Sequence, residues 1–356
     1  MVPRSGTICQ TSAWKQELAE AYRRLDDLLA ACGLVAAEVP DLDLLPADFR
    51  LLVPRGFAAL MRRGDPRDPL LRQVLPLRAE RHLTPGYVLD PVGDGAAARG
   101  QGLLHKYAGR ALILMTDACA VHCRYCFRKH FDYEGLVPSA QRQAAVVAAI
   151  RADESLREII LSGGDPLLLS DGMLGRWLHR LDAIAHLRRL RIHTRLPVVL
   201  PSRITESLVR VLRATRLDVT VVIHANHPNE LGVAAEHALR RLRRGGITLL
   251  NQSVLLRGVN DQVATLEALS ERLFSCSTLP YYLHQLDPVQ GAAHFAVTDR
   301  DALILEERLR TRLSGYLMPR LVREHPGAFA KMPVSSDGWF SRLLNPGVSL
   351  NDPEDP

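Results

Sequence analysis

From about Lys106 onward the sequence alternates between two textures, and this alternation limits the possible folds more than any other feature. Short apolar, β-branched runs occupy 110–116 (RALILMT), 158–163, 190–195, 218–225, 248–256 and 280–286. Stretches with helical periodicity lie near 139–152, 171–186, 204–215, 229–244, 261–274 and 299–315. A strand followed by a helix, repeated six times, predicts parallel βα units. Strands that are apolar along their whole length predict a sheet covered on both faces. The fold class is therefore α/β. With 356 residues, 47% of them hydrophobic, the chain can bury one large core and still carry appended segments.

The flanks differ from this centre. Residues 1–105 read as a mostly helical region, 106–318 as the βα series, and 319–356 as a C-terminal segment. The pattern SAWKQELAEAYRRLDDLLAACG predicts a helix capped by Ser12 and stopped by Gly33. Residues 66–105 look irregular, and the tail NPGVSLNDPEDP is expected to fray. The longest apolar runs are too short to span a bilayer, and the N-terminus has no apolar h-region, so a cytoplasmic location is expected. The net charge of +6 permits an acidic partner, but much of it lies in helical runs such as HALRRLRRGG, which predict a solvated helix face. No basic strand interleaved with aromatics, of the kind that stacks bases, is present.

The chemistry concentrates just after the first strand. DACAVHCRYCFRKHF, residues 117–131, places Cys119, Cys123 and Cys126 at C-x3-C-x2-C. The carboxyl ends of strands are where βα folds collect their ligand sites. In a reducing compartment, clustered thiols point to a metal or a redox role rather than a disulfide. A closed zinc site would need a fourth ligand, such as His122 or His130. A cubane [4Fe–4S] cluster would use three thiolates and leave one iron open to a small molecule. Cys9, Cys32 and Cys276 are scattered and read as structural. LSGGDPLL follows the second strand; Gly163 and Gly164 allow close backbone approach, and Asp165 is an acceptor.

C-x3-C-x2-C after the first strand of a βα series resembles the radical S-adenosylmethionine enzymes. PVVLPSRIT, HANHPNE, PYYLHQLDPVQGAAHF and EHPGAFAKMPV follow in order. Together, over roughly residues 50–335, they resemble the lysine 2,3-aminomutases. LHQLDPVQGAAHF and VPRGFAALMRRGDPRDPLLRQVLP are similar to the branch that makes β-lysine for elongation factor P.

This resemblance implies a partial (β/α)6 radical-SAM barrel and an isomerase that shifts the amino group of L-α-lysine to give β-lysine. It implies three cofactors: a [4Fe–4S] cluster on Cys119, Cys123 and Cys126, S-adenosyl-L-methionine, and pyridoxal 5′-phosphate on Lys331. Gly163, Gly164 and Asp165 match the segment that holds the methionyl group, and Tyr125 falls where an aromatic residue flanks the cluster. Arg110, with Lys106, matches a phosphate-binding position. Arg128 matches the arginine that binds the substrate carboxylate. Asp287 matches one aspartate that grips the ε-ammonium, and Glu324 stands where the family has a second. His193, His224 and His227 are expected near S-adenosylmethionine. The one glycine in PGAFAK, where relatives have a glycine-rich run, implies a stiffer loop. The implied partners are free lysine, an electron donor such as flavodoxin or ferredoxin, and elongation factor P or its lysine ligase, with no membrane or direct nucleic-acid contact. Two other readings stay open: an aminomutase for another amino acid such as glutamate, and a non-catalytic iron–sulfur or zinc protein that binds RNA or a translation factor.

Overall fold

The computed structural model describes residues 13–45, 49–98, 102–133 and 140–335. One sheet organises them. Its strands run in chain order: β1 (Leu103–Tyr107), β2 (Arg110–Leu114), β3 (Glu158–Ser162), β4 (Arg189–Thr194), β5 (Asp218–Ile223), β6 (Thr248–Val254), β7 (Leu279–His284), β8 (Arg320–Arg323) and β9 (Met332–Pro333). Each strand from β2 to β7 pairs in parallel with the next, while β1 and β9 pair antiparallel at the two edges. The sheet does not close on itself. It wraps a cavity to which strand residues from β1 (Leu104) round to β7 (Tyr281) contribute, which makes it a partial barrel.

The six expected strands lie where the apolar runs placed them. Ile159, Leu161, Leu190, Ile192, Val221 and Ile223 are all fully buried, each worth about 1.5–3 kcal/mol of transfer free energy. The crossover helices cover the outer face: α3 (Ala140–Ala152), α4 (Asp171–Asp182), α5 (Glu206–Arg213), α6 (Val233–Arg244), α7 (Val263–Ser275) and α8 (Asp299–Arg310), after two N-terminal helices, α1 (Ala13–Ala19) and α2 (Leu25–Ala31). Side-chain caps set several starts. Ser170 accepts from Met173 N at 3.3 Å, Thr205 from Leu208 N at 3.1 Å and Thr298 from Asp301 N at 3.1 Å, each satisfying a donor that the first turn cannot pair internally.

Three expectations change. The helix over 12–33 is two helices, because Tyr22 pairs its backbone with Val53 (N···O 2.8 and 3.0 Å) and breaks the run. Gly33 ends the second helix with φ +70°. Ser12 lies outside the described residues, as do Cys9 and the tail NPGVSLNDPEDP. The stretch expected to be irregular contains helical turns at Pro69–Arg72 and Asp94–Ala97, and β1 runs across position 105. The C-terminal segment extends the sheet, since β8 begins at Arg320 and pairs with β7. Cys32 and Cys276 are buried. No helix among the described residues is long and apolar enough to cross a membrane.

Candidate active site

The turn after β3 shows why two glycines stand there. Gly163 has φ +120°, and a Cβ on it would lie 2.4 Å from Thr116 O. A Cβ on Gly164 would lie 2.1 Å from Ala118 O. In return, Gly164 N donates to Thr116 O at 2.6 Å and Asp165 N to Ala118 O at 2.7 Å. The close approach is to the start of the cysteine loop, which it fixes against β3. The Asp165 carboxylate is occupied as well: it accepts from Thr194 Oγ1 (2.7 and 2.9 Å), Arg195 N (2.7 Å) and Leu167 N (3.1 Å). Burial raises Asp165 to about 6 against these bonds.

Above this turn, Cys119, Cys123 and Cys126 line one end of a cavity of about 450 Å³. Burial, followed by the neighbouring thiols, raises Cys119 well above an ordinary thiol and Cys126 to about 11. No three His, Cys, Asp or Glu groups among the described residues converge as ligands of a single ion would. The three soft donors fit a [4Fe–4S] cluster.

Beneath the loop runs a buried polar network. Arg195 Nη1 donates to Cys123 Sγ at 2.6 Å, and its Nη2 donates to Gln73 Oε1 at 2.7 Å and Glu230 Oε2 at 2.9 Å. Asn226 Nδ2 donates to Tyr125 Oη at 2.7 Å and to Gln73 Oε1 at 3.1 Å. Arg124 binds Glu80 through Nε (2.8 Å) and Nη2 (2.6 Å), and Lys129 reaches the same carboxylate at 3.3 Å.

Along the cavity, alternating charges form a chain. Arg128 Nε donates to Asp94 Oδ2 at 2.7 Å, and its Nη1 donates to Ser162 Oγ at 3.1 Å. Asp94 also pairs with Lys106 at 2.5 Å. Lys106 donates to Glu324 Oε1 at 3.0 Å, and Lys331 donates to Glu324 Oε2 at 2.9 Å. Burial alone would raise Glu324, but the two ammonium groups hold it at about 2. Lys331 lies 5.8 Å from the Tyr282 ring centroid. Asp287 differs sharply: its buried Oδ1 has no hydrogen-bond partner. Burial, then the charge of Glu324, pushes it up to about 7. The Nε2 atoms of His193 and His284, both lining the cavity, are also unpaired. Burial keeps both imidazoles neutral. An amine beside unpaired buried polar groups is a donor set that fits a polar aldehyde cofactor such as pyridoxal phosphate.

One cavity thus brings together Cys119, Cys123, Cys126, Arg110, Arg128, Gly163, Gly164, Asp165, Asp287, Glu324 and Lys331. Arg110 stacks on Tyr107 at 4.6 Å. His224 contacts Gln252 at 2.7 Å in the cavity wall, whereas His227 caps a turn by accepting from Asn229 N at 3.2 Å and does not line the cavity. Lysines of the chain itself, Lys106 and Lys331, occupy both oxygens of Glu324. Asp94, Arg195 and Glu230 escaped the sequence reading. Arg195 follows β4 directly, so the same strand-end rule that marked the cysteines could have marked it. Asp94 carried no local signal.

A sequence profile described as the radical SAM superfamily matches residues 113–272. The L-lysine 2,3-aminomutase of Escherichia coli (strain K12) is 45% identical, over 90% of this chain and 94% of its own. That of Haemophilus influenzae is 41% identical, over 92% and 97%. That of Clostridium subterminale is 33% identical, over 90% and 77%. The chain belongs to the L-lysine 2,3-aminomutase family within the radical SAM superfamily. It is an isomerase of the aminomutase type, and its family implies a [4Fe–4S] cluster and S-adenosyl-L-methionine.

Proposed function

We propose that this aminomutase converts L-α-lysine to β-lysine, with pyridoxal 5′-phosphate held by Lys331. The observation that carries this reading is the cavity itself, which is lined by three thiols, an amine, guanidinium groups and an unpaired carboxylate. The relatives, L-lysine 2,3-aminomutases by name, support the same substrate. When bound, S-adenosylmethionine on the cluster supplies a 5′-deoxyadenosyl radical, and pyridoxal phosphate supplies a conjugated ring that spreads spin during the nitrogen shift.

The chain's own residues do the binding and orienting. Cys119, Cys123 and Cys126 hold the cluster, and the backbone at Gly163, Gly164 and Asp165 meets the methionyl group. Arg128, already aligned by Asp94, offers its remaining N–H groups to the substrate carboxylate, for which a planar fork is suited. Arg110 would face the cofactor phosphate, with Lys106 adding its charge nearby while its N–H groups stay on Val92 O, Asp94 and Glu324. Asp287 and Glu324 supply the carboxylates of the far wall, where Lys106 and Lys331 already compensate Glu324 and Asp287 Oδ1 is unpaired. A cationic side chain completes Asp287 and a carboxylate side chain beside it is repelled, which disfavours glutamate.

We further infer that the β-lysine serves elongation factor P. The two segments similar to that branch support this, and the factor or its lysine ligase is the expected partner, with flavodoxin or ferredoxin as electron donor. Anaerobic turnover with lysine labelled with ¹⁵N at the α-amino group tests the core reading. The expected product carries the label at C3. Inert lysine with consumed glutamate would overturn it.

A further inference from the structure

The two carboxylates at the far end of the cavity are in unlike states. Asp287 Oδ1 is buried and unpaired. Both oxygens of Glu324 are taken, one by Lys106 and one by Lys331. The two lysines are held differently. Lys106 is tied from three sides, to Glu324, to Val92 O at 2.8 Å and to Asp94 at 2.5 Å. For Lys331, Glu324 is the one salt-bridge partner among the described residues. Its group, a primary ammonium on a four-carbon stem, is the group that the side chain of lysine would bring to the same wall.

We propose that Lys331 is a resident stand-in for the substrate's side-chain ammonium, and that attaching the cofactor to Lys331 clears Glu324 to receive a cationic side chain beside Asp287. This rests on the reading of the site as a pyridoxal-dependent lysine aminomutase. In the attachment the ammonium first gives up a proton. Its nitrogen then bonds to the aldehyde carbon, and the aldehyde oxygen leaves as water. Three N–H donors fall to at most one, and Glu324 Oε2 loses its partner. Glu324 keeps Lys106 on Oε1, a cation that it shares with Asp94, so its freed Oε2 is left part-compensated and favours a second cation. A lysine side chain restores the charge balance that Lys331 provided, whereas a neutral side chain does not. Selectivity for a cation is therefore created by loading the cofactor, and the empty enzyme is protected from filling its pocket with free lysine.

Lys331→Met removes the ammonium without requiring the cofactor. The full-length chain, carrying its cluster and S-adenosylmethionine but stripped of pyridoxal phosphate, is titrated calorimetrically with lysine and with norleucine, its uncharged analogue. Lys331→Met should bind lysine about tenfold more tightly than the unsubstituted cofactor-free chain, a step of ~1.4 kcal/mol. Norleucine affinity should not change, and the double variant Lys331→Met/Glu324→Gln should lose the gain. The iron–sulfur absorption verifies that each variant is folded. Equal lysine affinity in the two chains, an equal gain for norleucine, or a gain that survives in the double variant would overturn the proposal. The labelled-lysine turnover reads the substrate separately: a chain that turns lysine over yet shows no gain in Lys331→Met refutes the stand-in role alone.

Discussion

The two ends of the cavity are built on opposite principles. At the cysteine end the buried charges are paired within the chain: Arg124 and Lys129 with Glu80, Arg195 with Glu230, and Asp165 with the end of β4. Arg195 Nε is an exception, and behind the cavity wall Arg72 Nε and both ring nitrogens of His294, beside Glu80 and Lys129, are unpaired too. At the lysine end, polar atoms are buried and left alone: Asp287 Oδ1, His193 Nε2 and His284 Nε2. Burying an unpaired polar group is unfavourable by about 1–3 kcal/mol, and a fold keeps such groups where a ligand completes them. The cysteine end is thus largely finished by the chain itself, and the lysine end is an unfinished one whose buried polar groups a ligand would complete.

The largest effects should come from the cysteine end. Cys119→Ala, Cys123→Ala or Cys126→Ala should each abolish cluster binding and turnover, while Cys276→Ala should keep both. Iron content and the anaerobic visible spectrum check this, and a full iron complement in Cys123→Ala would break the assignment of that end. At the other end, Lys331→Ala should abolish turnover yet leave the iron–sulfur spectrum intact, with loss of the borohydride-reducible pyridoxal adduct. If the adduct maps to Lys106 instead, the contrast between a lysine tied to three groups and one paired with Glu324 is wrong.

The next prediction compares the ends as carboxylates. Glu230 is fully buried and pairs with Arg195. Glu230→Gln leaves a buried guanidinium uncompensated and should cost about 3–5 kcal/mol of stability, read as a fall in the denaturation midpoint. Asp287→Asn should instead be tolerated by the fold and lower kcat/KM for lysine by about tenfold or more, since a charge-assisted hydrogen bond contributes roughly 1.5–3 kcal/mol. It should also change the pH profile. A group at about 7 gains its charge as pH rises through neutrality, so lysine use by the unsubstituted chain should rise over that range, and the Asn variant should lose that limb.

How much of this was legible depends on where the information lies. The six βα units were readable because strands buried on both faces must be apolar throughout, and such runs are visible locally. Strands β1 (LLHKY), β8 (RLVR) and β9 (MP) are short and partly charged, and they become strands only through pairing with neighbours already in place. The break in the first helix was hidden for a similar reason: the apolar pattern continues across Tyr22, and a bridge to Val53 decides against it. Within the site, the cysteines and Lys331 sit in contiguous motifs. Asp94 and Arg128 are 34 positions apart, and Arg195 and Cys123 are 72. Only the fold brings these together. The sequence named Glu324 as a carboxylate for an ammonium; it could not show that the first ammonium there is the chain's own.

The smallest effect follows from the same contrast and concerns the stability of the cofactor-free chain. Asp287 is held at about 7 in the folded protein, above an ordinary aspartate at 3.8, because burial disfavours its charge. The folded state therefore binds this proton more tightly than the unfolded state does. Between those two values the unfolded chain releases the proton first, so the group's contribution to stability is complete below ordinary aspartate pH and is lost as pH rises through about 7. Asparagine fills nearly the same volume and has no charge to desolvate. Asp287→Asn should leave the midpoint unchanged near pH 4 and raise it modestly at pH 8. Glu230→Gln should lower it at both. Adding pyridoxal phosphate and lysine should shrink the Asp287→Asn advantage, because the ligand ammonium then satisfies the carboxylate that burial had penalised. A destabilised Asp287→Asn chain at pH 8 without ligands would mean that Asp287 is already satisfied within the protein, and the distinction between a finished end and an unfinished one would fail there.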